Sequence, residues 1–466
     1  MLNKKLTADM RNFLVIKGLI FLLFISCVTG TQSGEDDEIK TIFKNAYESL
    51  RINEPQGRSA AQPLVLAHYM PWFQKDGFHW TEGTSKFNPS QILPDGRENI
   101  ASHYYPLTGS YDSSDTLILD YQLALMKMSG MDGVIFDWYG ITAAFDYKPI
   151  HDATLVMIDM IKKRGMKYLI CYEDQSVGNM MRAGRLPHNT GNISDPLEVL
   201  ALKTAKDTFN WMAENWFTDE EYVKVDGRPV VMCFGPQYFS NKADWDAIWT
   251  DLNPKPFFID LNGRTVWADA SMNWSPMHLS SANGILEINR LVGDLNNFYL
   301  KQEYKPFTAG TVFPAFHDIY AQAFKLSYGY LDYYMGETYK LTWEAALKAR
   351  VNIIQIQTWN DYGEGTIVEP TIERGYKDLE FTQDKRKETD RSFPFNHTDL
   401  RIPLELYKIQ SGEKSSELQK QQAAAIYDLI FSGKVSEARQ AMQNAGFYYD
   451  DSVRPLLHDV IIKNVN

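Results

Sequence analysis

The chain has 466 residues, 44% of them hydrophobic and 23% charged, with a formal net charge of −12. That length allows two or three ordinary domains, or one barrel with appendages, and a core large enough to fold without disulfides. The acidic balance argues against nucleic acid as a partner, since its recognition normally presents a basic face.

The amino terminus reads as a targeting segment over residues 1–27. Lys4, Lys5, Arg11 and Lys17 form a positive region, and Leu19 to Ile25 is almost pure Leu, Ile and Phe. This run is shorter than the roughly 20 apolar residues of a membrane span and fits the apolar region of a signal peptide. Phe24-Ile25-Ser26-Cys27 resembles a bacterial lipobox. That resemblance implies lipidation of Cys27, an outer-membrane anchor facing the cell surface or periplasm, and membrane contact through the lipid alone. An ordinary cleaved signal with an incidental cysteine is the alternative. Residues 28–62 follow as a polar tether, with Glu35-Asp36-Asp37-Glu38 and then a helix over about Ile39 to Ile52. Serine plus acids just after the cysteine resembles a surface-export signal of Bacteroidetes lipoproteins. Cys171 and Cys233 lie in apolar runs. They read as buried free thiols, with no disulfide framework and no metal-type spacing.

From Pro63 short apolar runs alternate with longer amphipathic ones. Strands are expected at Leu64–Tyr69, Gly133–Asp137, Tyr168–Glu173, Pro229–Phe234, Phe257–Asp260, Thr311–Pro314 and Asn352–Trp359, with an eighth near Val266–Ala268. Helices are expected over Leu117–Met128, Ala153–Lys163, Leu197–Trp216, Trp245–Leu252, Gly284–Tyr299 and Trp343–Arg350. This alternation indicates a parallel α/β sheet, either open and doubly wound or closed as a barrel. Asp137, Glu173, Asp260, Asp318, Asp361 and Glu364 all fall at or just past strand carboxyl ends. A barrel gathers those ends on one face, where barrel active sites sit. No glycine-rich dinucleotide motif or P-loop follows any strand. The reading is therefore a (β/α)8 TIM barrel over residues 63–400, with a helical extension over 401–466. The extension carries two helices, Ser415 to Phe431 and Val435 to Ala445.

The segment richest in chemistry is Trp359-Asn360-Asp361-Tyr362-Gly363-Glu364-Gly365-Thr366, followed by Val368-Glu369-Pro370. Two acids three residues apart, on a glycine-containing loop leaving a buried strand, can face one cavity. Cleavage of a glycosidic bond generally uses two carboxyl groups, one to protonate the leaving oxygen and one as base or nucleophile. A second acid and an aromatic wall, here Trp359 and Tyr362, would keep one of them protonated. Asp137 stands before Trp138 and Tyr139, a hydroxyl-binding acid beside a stacking platform. Glu173 and Asp318 are further strand-end acids expected to touch substrate. The long first connection brings His79, Trp80, His103 and Tyr104, and connections of such length are often functional. No HExxH, calcium-loop or GxSxG pattern occurs, so neither a metal, a cofactor nor a serine nucleophile is implied.

In these residues the chain resembles glycoside hydrolase families 71 and 99. Family 99 carries W-N-E-W-x-E-G-T and then I-E-P at its last strand, and this chain has WNDYGEGTIVEP. Leu66-Ala67-His68-Tyr69-Met70-Pro71-Trp72, His103-Tyr104-Tyr105-Pro106 and Val134-Ile135-Phe136-Asp137-Trp138-Tyr139-Gly140 resemble earlier landmarks of that family. The resemblance spans about Leu64 to Thr371. It implies a barrel enzyme hydrolysing α-mannosidic or α-glucosidic bonds inside a polysaccharide. Glu364 then inherits the acid/base role and Asp361 that of its helper, with Trp72, Asn360 and the residues above as substrate contacts. Asp361 is one methylene shorter than the family's glutamate. That leaves open a base acting through water, an altered substrate or a weakened enzyme. A glycan-binding barrel lipoprotein without chemistry is the alternative function, and a barrel lyase is a third.

Overall fold

The computed structural model describes residues 37–55, 58, 62–187, 196–324 and 326–448. The expected leader, Cys27 and the first part of the tether lie outside the described residues. Eight parallel strands make the frame: β1 (Leu64–Tyr69), β2 (Gly133–Trp138), β3 (Lys167–Tyr172), β4 (Arg228–Cys233), β5 (Phe257–Leu261), β6 (Ala270–Met272), β7 (Ala309–Val312) and β8 (Ile353–Ile356). Their hydrogen-bonded order is β7-β8-β1-β2-β3-β4-β5-β6. Placing β8 beside β1 curls the sheet on itself, and the remaining gap lies between β6 and β7. That gap is bridged one residue beyond β6. The Asn273 side-chain oxygen accepts from the Thr311 amide at 2.8 Å, and the Thr311 hydroxyl donates to the Asn273 carbonyl. The expected (β/α)8 TIM barrel is the fold observed.

The strands read as near-continuous apolar runs because both their faces are covered, as in any helix-wrapped parallel sheet. Every residue of β2 and β5 is buried. The covering helices are α1 (residues 37–49), α2 (Thr116–Ser129), α3 (Tyr147–Arg164), α4 (Gln175–Arg182), α5 (Leu197–Asn215), α6 (Lys242–Ile248), α7 (Ile288–Gln302), α8 (Glu337–Lys348) and α9 (Lys377–Thr389). Asp115 caps α2 by accepting from the Leu117 amide at 2.9 Å, which satisfies one of the donors a helix start leaves unpaired.

The eighth strand departs from expectation. It is Ala270–Met272 rather than Val266–Ala268, and no helix separates it from β5. Val266 is 97% exposed in a turn. The Asp260 carboxylate accepts from the Thr265 amide at 2.5 Å, and the Asp269 carboxylate accepts from the Phe258 amide at 2.9 Å. These two side chains tie the segment into a turn, in which Trp267 lies flat against Phe258 at 5.3 Å and Val266 faces solvent.

The carboxyl-terminal helices are α10 (Ile402–Ser411), α11 (Glu417–Phe431) and α12 (Val435–Ala445). They pack on the barrel rather than standing apart. The Tyr427 hydroxyl donates to the Pro403 carbonyl at 3.0 Å, and Asp428 pairs with Arg164 at the end of α3 at 2.6 Å. One buried hydrophobic cluster runs from Phe43 in α1 to Phe447 after α12. Among the described residues no helix is long and apolar enough to cross a membrane.

Candidate active site

The loop leaving β8 is held from beneath. The Asn360 side chain donates to the Met70 carbonyl at 3.0 Å and accepts from the Met70 amide at 2.8 Å, tying the loop to the end of β1. Thr358 Oγ1 accepts from the Asp361 amide at 2.8 Å, and Asp361 Oδ1 accepts from the Glu364 amide at 3.0 Å. Buried Arg374 donates to the carbonyls of Ile367 at 2.9 Å and Gly365 at 3.2 Å. Gly365 sits at φ +69, where a Cβ would stand 2.7 Å from the His317 carbonyl oxygen, so only glycine fits the turn that presents Glu364. The His317 amide donates to the Glu364 carbonyl at 2.8 Å and the Ile319 amide to that of Gly363 at 2.9 Å. These two bonds lock the β7 and β8 loops together.

Above this loop opens a cavity of about 340 Å³. Its walls include Trp72, His79, Tyr139, Tyr320, Asp361 and Glu364, and a residue that the sequence reading passed over, Glu82. A first side-chain carbon at Gly363 would lie 3.1 Å from Glu82 Oε1, 3.5 Å from Asp361 Oδ1 and 3.5 Å from the Tyr320 hydroxyl. The bare glycine therefore leaves room for three oxygens to converge. Glu82 had no motif to mark it; it arrives from the one-turn helix Phe78–Thr81, in the long connection after β1. The only signal available was that connection's length.

These acids crowd one another. Burial, and then the neighbouring Asp361, pushes Glu82 up to about 8. Burial raises Asp361 to about 7 against the lowering effect of the Glu364 amide, with Asp137 adding to the rise. Glu364 is held well above the usual carboxylate range by burial, then by Asp361, Asp318, Glu82 and Asp137. Among the described residues no hydrogen-bond donor reaches the carboxyl groups of Glu82 or Glu364. Carboxyl groups so crowded resist ionising together, which favours keeping a proton among them. That is the state a general acid and its partner require.

The other residues named from sequence divide cleanly. Trp72 and Tyr139 line the cavity with Asp361 and Glu364. Burial, then Asp137 and Glu173, pushes the Tyr139 hydroxyl up, and half-buried Glu173 is raised by burial and then by Asp137, so the two acids crowd each other beside Tyr139. Trp138 does not. Successive strand side chains point to opposite faces, and Trp138 falls on the helix side, 4.9 Å from Trp216 and 5.8 Å from His151. Trp359, Asn360 and Tyr362 are fully buried beneath the loop, where the Tyr362 hydroxyl donates to Glu369 at 2.8 Å. They are framework rather than sugar contacts.

Asp318 serves its own loop, accepting from the Tyr328 amide at 2.6 Å and the Ser327 hydroxyl at 3.0 Å. It holds the turn that carries Tyr320 and Tyr328 to the cavity. His103 stacks on His317 at 3.7 Å and donates to the Asp318 carbonyl at 3.1 Å, while Tyr104 lies under the Arg374 guanidinium at 4.2 Å. Cys27 lies outside the described residues.

Among the described residues one group has donor atoms close enough to hold a metal ion. His68, Asp137 and Cys171 are buried, with ligand atoms within 4.8 Å of one another. His68 Nδ1 lies 3.2 Å from Gln355 Oε1, a contact that would orient the ring toward such an ion. Burial, then Asp137 and Glu173, pushes the Cys171 thiol up, so a metal would have to displace its proton.

No family model matches the chain. It is 21% identical over 335 residues to a Danio rerio protein described as a glycoprotein endo-alpha-1,2-mannosidase-like protein, covering 66% of this chain and 68% of that one. Among solved structures, the family 99 glycoside hydrolase endo-alpha-mannosidase from Bacteroides thetaiotaomicron superposes with a TM-score of 0.51 at 15% identity, over 72% of this chain and 99% of that chain. A second structure of that enzyme, with Bis-Tris propane, gives 0.50 at 15% identity and the same coverage. At such identity the likeness speaks for the barrel and its elaborations.

Proposed function

We propose that this chain is a glycoside hydrolase that cuts α-mannosidic or α-glucosidic linkages within a polysaccharide. The observation that carries the reading is the cavity at the carboxyl ends of the barrel strands. It sets Glu364, Asp361 and Glu82 among aromatic walls, with the acids held above their ordinary range. Glu364 is the general acid and later base, because its carboxyl group has the strongest crowding and no donor to stabilise its charge. Asp361, whose carboxylate form the Glu364 amide favours against burial, is the partner that takes a proton from either the sugar's 2-hydroxyl or a water. Trp72 and Tyr139 offer apolar faces to sugar rings, and Asp137 and Glu173 accept from hydroxyls. The resemblance of the closing motif to family 99, the likeness to an endo-alpha-mannosidase fold and the Danio rerio relative favour mannose over glucose.

The leader and Cys27 support an exported, lipid-anchored protein that meets its polymer outside the cytoplasm. Mass shift of the mature amino terminus in the wild type and in Cys27→Ala tests that part.

The deciding experiment is product analysis with α-mannans and α-glucans, with anomers followed early by NMR. Oligosaccharides of retained configuration would assign Asp361 the helper role of family 99. Inverted products would give it a water to activate. Binding of glycan with no product from any polymer would overturn the hydrolase reading in favour of a binding barrel.

A further inference from the structure

Beside the acid cavity runs a second, more open groove of about 700 Å³. Its lining includes Phe78, Phe145, Asp146, Tyr147, Asn179 and Arg182. Nothing in the proposed chemistry uses it, yet it is joined to the acid cavity in three ways. Phe78 is a wall of both. Asp146 in the groove bonds His79 in the cavity at 2.9 Å, and that imidazole stacks on Trp72 at 4.4 Å. A trail of rings then leads outward, from Tyr139 in the cavity to Tyr147 at 5.1 Å and on to Phe145 at 5.3 Å.

The two exposed rings are held in place. Phe78 is 52% exposed and Phe145 48% exposed, so both rings face the open groove. Phe78 lies against Gly83, where φ is +62 and any Cβ would stand 2.6 Å from its ring. Phe145 occupies the left-handed region at φ +49, which bulky residues rarely adopt. The Arg185 guanidinium covers its ring at 4.4 Å. Between the rings lie polar edges: Arg182 donates to Asn179 Oδ1 at 2.6 Å, and Asn179 Nδ2 reaches the Tyr147 hydroxyl at 3.5 Å. Fixed aromatic faces interleaved with amide and guanidinium donors match a chain of sugar rings, which has apolar C–H faces and hydroxyl edges.

We propose that this groove binds the sugar units next along the polysaccharide from the bond lying over Glu364, extending the substrate site across Phe78 to Phe145. This rests on the glycosidase reading above and adds to it a site that rewards chain length.

The test compares Phe145→Asn and Arg182→Ala with the parent full chain on α-mannan, α-glucan and their oligosaccharides of increasing length. Asparagine tolerates the left-handed backbone, so Phe145→Asn removes the ring without straining the turn. The expected result is a loss of roughly tenfold in kcat/KM on polymer, carried by KM, as for one aromatic anchor at an interface. The shortest cleaved oligosaccharide should be unaffected. Equal loss at every length, or none on the polymer, would overturn the proposal.

Calorimetric binding to Glu364→Gln, with and without Phe145→Asn, separates the two readings. Length-dependent binding that needs Phe145, when the parent chain too hydrolyses nothing, would uphold the groove and sink the hydrolase. No binding of either glycan by any form would overturn the groove as well.

Discussion

Two carboxyl groups, Glu364 and Glu369, lie five residues apart on the same loop, and their surroundings are opposite. Glu369 accepts from the Gln122 side-chain Nε2 at 2.8 Å, the Tyr362 hydroxyl at 2.8 Å and the Tyr111 hydroxyl at 2.9 Å. Burial still lifts it to about 7, but each of those donors pulls it back. Glu364 has no such donors and faces other acids instead. A buried acid with a full set of donors is a fastening, because removing it leaves the donors unpaired. A buried acid among acids is costly to the fold and persists where chemistry uses it. Asp174 belongs with Glu369: its carboxylate accepts from the amides of Gln237, Tyr238 and Phe239. Glu82 belongs with Glu364.

Substitutions can break or sharpen this division. The largest expected effect is on Glu364→Gln: kcat on a polymer that the parent cleaves should fall by about 10³-fold, within the range of a lost general acid. Its thermal midpoint should hold or rise. Substantial remaining activity would remove Glu364 from the acid role.

Glu369→Ala should do the reverse, costing about 3 kcal/mol of stability in a denaturant titration by orphaning three donors. If it unfolds no more easily than the parent, the donor count does not mark a fastening.

The smallest effect is expected for Glu82→Gln. The fold favours the protonated forms of Glu82 and Asp361, whose values lie near 8 and 7 rather than 4.5 and 3.8. Their contribution to stability is therefore present at low pH and lost as pH rises from the ordinary carboxylate range through about 8. A glutamine cannot ionise, so the variant should match the parent near pH 4 and exceed it near pH 9 by about 1–2 kcal/mol. Melting curves across pH check this, and identical pH dependence in the two proteins would place Glu82 outside the coupled group. In the same variant, the alkaline fall of activity should move if Glu82 holds a proton that matters to Glu364.

The alternation of apolar runs and amphipathic stretches was enough to call for a parallel α/β sheet, because strands covered on both faces leave continuous apolar segments, and the acids at the strand ends chose the barrel over an open sheet. Where that signal is short, it misled. Val266–Ala268 is as apolar as a strand, but Asp260 and Asp269 tie its ends into a turn, an effect of side chains that no periodicity carries. The site was legible in part. Asp361 and Glu364 stand on a glycine-rich strand end, a local pattern, and Tyr139 follows from its place just past a strand. Trp138 was assigned to the wrong face: one step along a strand turns a side chain from the cavity to the helices. Trp359, Asn360 and Tyr362 were taken for contacts because the motif holds them, whereas their work is to carry the loop.

What the sequence determined by itself was local: which stretches become strands and helices, which strand ends carry acids, and which loop brings two of them close together. Only the tertiary structure decided which acids meet. Glu82 lies 279 positions before Asp361 in the chain, and no short-range pattern links them. The closing of β8 against β1 brings the first connection over the last loop, and the raised acids follow from that closure, because burial and like-charge crowding exist only once the barrel is shut.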